Sequence, residues 1–117
     1  MHRFTTPLLR VTPEPEEQGI RLSLHGELDL ATTPILEQSI EVAEREDGPL
    51  VALDLTELSF VDASGLKAIL NAHRRALRRG ERGLLLVNPS GDIRRLLSLT
   101  AIDLTIEVVP EASAAPA

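Results

Sequence analysis

Cysteine, tryptophan and tyrosine are absent from this chain, and Phe4 and Phe60 are the only aromatic side chains in 117 residues. Without cysteine there is no disulfide, no thiolate zinc site and no thiol redox chemistry, a composition that suits a reducing compartment. Without aromatic platforms, base stacking of the kind that holds single-stranded nucleic acids has nothing to work with. Positive charge is in short supply as well. The net charge of −6 repels a phosphate backbone over long range, so no direct nucleic-acid partner is expected. The opening "MHRFTTPLLRV" lacks the apolar core of a secretory signal. No apolar run approaches the roughly 20 residues that span a bilayer, so no membrane role is expected and the chain reads as soluble and cytoplasmic. The three histidines are scattered, without metal-ligand spacing.

What is present describes one globular domain. A hydrophobic content of 43% against 26% charged residues supports a core, built here from Leu, Ile, Val and Ala. The length fits one domain and is too short for two ordinary ones. The domain is expected over residues 1–110, with 111–117 as a disordered tail.

The chain reads as strands alternating with helices. Leu8 to Thr12 is a strand candidate, closed by "PEPEEQG", a connector too rich in proline to continue it. "IRLSLHG" alternates: Ile20, Leu22 and Leu24 on one side, Arg21, Ser23 and His25 on the other, which predicts a half-buried strand hairpinned to the first. "ATTPILEQSIEVAERE" predicts a helix capped by Thr33, with Pro34 first, an apolar stripe of Ile35, Leu36, Ile40 and Ala43, and a stop at "EDGP". "LVALDL", residues 50–55, is apolar enough for a central strand covered on both faces. A second helix is expected from Ser64 to about Arg79, then the strand "GLLLV". Next come a third helix capped by Ser90 and a last strand in "LTIEVV". This is an α/β pattern, and crossover helices imply a mixed sheet with parallel pairs.

The stretch "SFVDASGLKAIL", residues 59–70, poses the functional question. Ser64 at a helix start has a plain explanation, since its oxygen can cap the helix. The same place suits negative charge, because backbone N–H groups are free there. Gly65 costs a helix about 1 kcal/mol relative to alanine and needs a reason; its missing side chain would leave Ser64 open to approach. In the second helix Leu66, Ile69, Leu70, His73 and Leu77 fall at core-facing spacing. Lys67, Asn71, Arg74, Arg75 and Arg78 line the other side. That basic stripe is either a steering surface for an acidic partner or a solvated face complementing the helix dipole. His73 reads as a packed histidine, Asp29 as a turn-maker or a partner contact in equal measure, and Glu27 as solvated surface.

"DLTELSFVDASGLKAIL" resembles the signature of STAS domains of the anti-sigma-factor antagonist type. "GELDLAT", residues 26–32, is similar to that family's second hallmark, and "VNPSGDIRRLLSLTAID" to its usual ending. The likeness runs over about residues 8–109. It implies a mixed four- to five-stranded sheet with about three to four helices mainly on one face. It also implies a partner-switching role: the unmodified protein binds an anti-sigma factor that is also a serine kinase, phosphorylation of Ser64 releases it, and a serine phosphatase resets it. The ATP belongs to the kinase, and this chain needs no cofactor. The expected partner surface comprises Asp29, Asp62, Ala63, Gly65, Lys67, Asn71 and Arg74. Lys67 departs from the family, where a small residue often stands, and could pair with a phosphate on Ser64.

Two other classes compete. One is a constitutive STAS scaffold in a stress-sensing complex or a lipid transporter, with no switching. The other is a serine hydrolase, which lacks the G-x-S-x-G elbow and any histidine placed beside Ser64. Ser59 and Ser90 are rival acceptors; Ser59 has no glycine beside it, and Ser90 is explained as a cap.

Overall fold

A computed structural model describes residues 4–5, 8–46 and 50–110. Its elements run β1 (Phe4–Thr5), β2 (Leu9–Glu16), β3 (Gly19–Leu28), α1 (Thr33–Glu46), β4 (Leu50–Val61), α2 (Ala63–Arg78), β5 (Leu84–Val87), α3 (Gly91–Leu99), a 3-10 turn (Ile102–Leu104) and β6 (Glu107–Val109). The strands form one sheet in chain order. The expected hairpin is there: β2 and β3 are antiparallel, as are β1 and β2. From β3 onward every neighbour is parallel, so α1, α2 and α3 are crossovers. All three helices pack on one face, into one cluster that includes Leu22, Leu24, Leu36, Leu53, Ile69 and Leu97. The opposite face of β4 and β5 carries a small apolar patch of Leu50, Ala52, Leu85 and Val87. The mixed sheet with one-sided helices is the expected architecture. The tail over 111–117 and the "EDGP" stop, apart from Glu46, lie outside the described residues.

Several expectations need correction. "PEPE" does not end the first strand: β2 continues through Pro13 and Pro15 to Glu16, and Pro13 to Glu16 pair with Leu22 to Gly19 on β3. Among the described residues β1 pairs only with Arg10 and Val11. Past Val11 no described residue pairs with the outer edge of β2, and proline is tolerated on such an edge. β4 is twice as long as "LVALDL", because two register irregularities against β3 carry it to Val61. α1 begins at Thr33, whose hydroxyl donates to the Leu30 carbonyl at 3.2 Å instead of capping. Pro34 sits second, where its missing N–H still breaks no helical bond. Ser90 does cap α3, accepting from the Ile93 N–H at 3.4 Å.

Arg21, expected on the solvent side of β3, is buried. Its Nη2 lies 2.9 Å from Glu16 on β2 and its Nη1 3.6 Å from Asp54 on β4. Asp54 in turn accepts from the Thr56 hydroxyl at 2.6 Å, and Asn88 donates to that hydroxyl at 3.1 Å. A polar chain thus ties β2, β3 and β4 to the end of β5.

His73 is packed as expected. Its Nδ1 accepts from the N–H of Leu84, at the start of β5, at 3.1 Å. Gly83 makes room: at φ +87°, a Cβ there would stand 2.5 Å from the imidazole. Burial pushes the His73 imidazole below its ordinary value of 6.5; a backbone hydrogen bond with Thr105 opposes this and the charge of Arg74 adds to it. Because the folded value is depressed, the unfolded chain takes up the proton first as pH falls. Stability is therefore full above about 6.5 and declines below it until the folded imidazole also protonates, by at most ~1.4 kcal/mol per pH unit. Denaturant midpoints between pH 7.5 and 5 should fall more steeply for the wild type than for His73→Gln. Parallel curves would show that this imidazole does not couple folding to protons.

Candidate functional site

The C-terminal ends of β3 and β4 lie side by side, joined by the pairing of Leu28 with Val61. The N–H of Asp62 donates to the Leu28 carbonyl at 3.1 Å. Two loops therefore emerge together: residues 29–32 into α1, and Asp62 directly into α2. Carrying β4 to Val61 leaves one residue before the helix, and that residue is its cap. The Asp62 carboxylate accepts from the Gly65 N–H at 3.0 Å. The cap is thus Asp62 and not Ser64, which is the second residue of α2.

Ser64 is half-buried. Among the described residues its hydroxyl makes no hydrogen bond. Its rivals are occupied: Ser59 donates to the Gly26 carbonyl at 2.9 Å, and Ser90 caps α3. The imidazole of His73 is engaged by the N–H of Leu84 at the start of β5. Among the described residues no three His, Cys, Asp or Glu side chains group as a metal site.

Gly65 is buried, and the reason for it is packing instead of access to Ser64. A Cβ there would come within 2.8 Å of Leu28 Cγ and of Val61 Cγ2. Both neighbours are core residues, so neither moves without disturbing the sheet ends that position the site. Gly65→Ala gains about 1 kcal/mol of helix propensity but overpacks at a cost of about 1–3 kcal/mol. A net loss of about 1 kcal/mol in urea unfolding is expected, and a gain in stability would contradict the packing argument.

Asp29 makes the turn. Its Oδ1 accepts from the N–H groups of Ala31 and Thr32 at 3.0 and 3.1 Å, while its own N–H donates to the Thr32 hydroxyl at 2.9 Å. Thr32 donates in turn to the Glu27 carbonyl. The loop is locked by its own side chains. Asp29 remains only partly buried, so it stays at the surface beside α2.

The outward side of α2 is as expected: Ala63, Lys67, Asn71, Arg74 and Arg78 are exposed and Arg75 half-buried. The inward side differs. Leu77 is 50% exposed, and the buried stripe past Ile69 is Ala72, His73 and Ala76, with Ala68 beside it. Small residues let the helix lie close to the sheet. Two apolar side chains were not expected in the open: Leu30 in the first loop and Phe60 near the end of β4 are 74% and 47% exposed. They occupy the same end of the sheet as Ser64. Glu27 is exposed, as expected.

A mixed sheet with helices on one face and a serine in the first turn of the helix after its long parallel strand defines a recognisable class. The chain belongs to the STAS domain family, whose match covers residues 10–115. It is 30% identical over 95 residues to a protein of Listeria monocytogenes called anti-sigma-B factor antagonist, covering 81% of this chain and 82% of that one. A Bacillus subtilis protein of the same description is 25% identical over 100 residues, covering 86% and 90%. Among solved structures, an anti-sigma factor antagonist from Mycobacterium paratuberculosis superposes with a TM-score of 0.78 at 26% identity, over 93% of this chain and 92% of that one. The Bacillus cell fate determinant SpoIIAA in its phosphorylated form shares the fold, with a TM-score of 0.67 at 23% identity over 89% and 95%. Among the described residues no helix is long and apolar enough to cross a membrane.

Proposed function

We propose that this protein is an anti-sigma-factor antagonist: it docks an anti-sigma factor with serine kinase activity, and phosphorylation of Ser64 by that partner releases it. The observation that carries the reading is the setting of Ser64. Its uncommitted hydroxyl stands in the first turn of α2, where Asp62 already supplies the cap, so modification leaves the helix start intact. Around it lie the ingredients of a docking surface. Exposed Leu30 and Phe60 offer apolar anchors, Asp29, Asp62, Lys67, Asn71 and Arg74 form a polar setting, and Ala63 keeps the surface beside Ser64 small. Gly65 contributes from beneath, by seating the helix. The relatives from Listeria and Bacillus, described as anti-sigma-B factor antagonists, support the same role.

In the transfer the Ser64 oxygen takes the γ-phosphoryl of the kinase's ATP, its proton passes to the kinase, and ADP leaves. A serine phosphatase returns the chain to its binding state. The added group brings about −1.5 to −2 charges at pH 7. In a closed interface that charge costs desolvation and repels acidic neighbours. Intact-mass measurement after incubation with ATP and the host's anti-sigma kinases should find one phosphoryl group on the wild type and none on Ser64→Ala. Undiminished phosphorylation of the alanine variant would overturn the assignment.

A further inference from the structure

We propose that Lys67 is an intramolecular clamp for the phosphoryl group on Ser64; this rests on the reading of Ser64 as the acceptor and adds how the modified state is held. α2 runs unbroken from Ala63 to Arg78, so residues 64 and 67 are neighbours on one face, with Cβ atoms about 5–6 Å apart. Helical side chains lean toward the N-terminus. The stem of Lys67 therefore leans back over Ser64, and its length suffices to bring the ammonium to a phosphoryl oxygen.

The charges around Ser64 are disposed unequally. On the cap side stands the Asp62 carboxylate, fixed on the Gly65 N–H at 3.0 Å. On the other side stands Lys67, exposed and, among the described residues, without an ion pair. Arg21 is engaged with Glu16 and Asp54, and Arg79 with Glu44 and Glu81. Arg74 and Arg78 are exposed like Lys67, but they stand further along α2, out of reach of Ser64. Nothing in the helix itself favours a cation this near its N-terminus, since the dipole favours cations at the other end. A phosphoryl group on Ser64 is repelled by Asp62 and drawn along the helix to Lys67. Two consequences follow for the switch. The modified state gains an ion pair that the unmodified one lacks, and the same event removes an exposed ammonium from the docking surface.

The test uses the full chain with phosphoserine installed biosynthetically at position 64, in the wild-type and Lys67→Met backgrounds. Methionine keeps the length of the stem and removes the charge. A 31P NMR titration should place the phosphoserine's second ionisation about half a pH unit lower with Lys67 than with methionine, the size of one unit-charge contact at this spacing in water. Lys67→Arg should keep the low value, and the gap should shrink as salt rises. Coincident titration curves for the lysine and methionine proteins would overturn the clamp. Because the phosphate is installed and not transferred, the result does not depend on a kinase. A failure of every candidate kinase to modify Ser64 would count against the functional reading alone.

Discussion

Replacing Arg21 with methionine should cost about 2–3 kcal/mol of folding stability, although the residue lies far from the site and methionine preserves much of its packing volume. The guanidinium is held by Glu16, through Nε at 3.0 Å and Nη2 at 2.9 Å, and faces Asp54 at 3.6 Å. Removing one member of a buried ion cluster strands the others, and that loss is typically 3–5 kcal/mol. Glu16 keeps some contact with solvent, and Asp54 retains its bonds from Thr56, so a figure at or just below the bottom of that range applies. Urea unfolding at neutral pH gives the measurement. Adding Glu16→Gln and Asp54→Asn to Arg21→Met should restore part of the loss, because neutral partners need no counter-charge. An unchanged midpoint for Arg21→Met alone would mean that only the aliphatic stem of Arg21 matters.

Arg21 also shows where sequence reasoning stops. Alternation placed Ile20, Leu22 and Leu24 in the core correctly, because a period of two directly encodes which face is apolar. It also put Arg21 in solvent, since a side chain buried by ion pairing has the same pattern as one facing water. The partners come from Glu16 and Asp54, on separate strands, and only the sheet order brings them together. The proline error at Pro13 and Pro15 has the same origin: whether a strand edge is open is a property of its neighbours. At the site, residues 62–65 were legible as a helix start with a serine of interest. Which of Asp62 and Ser64 is the cap was not, because both are good caps. The pairing of Leu28 with Val61 decides it by fixing how far β4 runs. Gly65 was rightly singled out, but the reason lay in Leu28, 37 positions earlier in the chain. The exposure of Leu30 and Phe60 could not be read from their apolar character. Local patterning cannot distinguish a core residue from an anchor for another protein.

Ser64→Ala and Ser64→Asp should both fold and then part company in partner binding. The structure gives a firmer reason for the first half than a serine cap would. The capping oxygen belongs to Asp62 and position 64 is the second residue of α2, so alanine removes no cap. Aspartate there meets two opposing effects of similar size, attraction by the helix N-terminus and repulsion by the Asp62 carboxylate. Melting temperatures of both variants should stay within a few degrees of wild type, as expected for changes under about 1 kcal/mol. Binding is different, because in the proposed complex the side chain at 64 enters a closed interface. Alanine leaves that surface small and neutral and should bind the anti-sigma kinase as the unmodified protein does, or slightly more tightly. Aspartate brings a charge that must be desolvated, and a weakening of about tenfold or more is expected, equivalent to ~1.4 kcal/mol. Genuine phosphoserine should weaken binding further, since one carboxylate supplies less charge and fewer acceptor oxygens than a phosphate. Calorimetric titration of each folded form against the kinase, with nucleotide present, measures the order. Equal affinities across alanine, aspartate and phosphoserine would remove the switch and leave a STAS domain that docks constitutively, because a surface indifferent to two added charges at its centre cannot be regulated there.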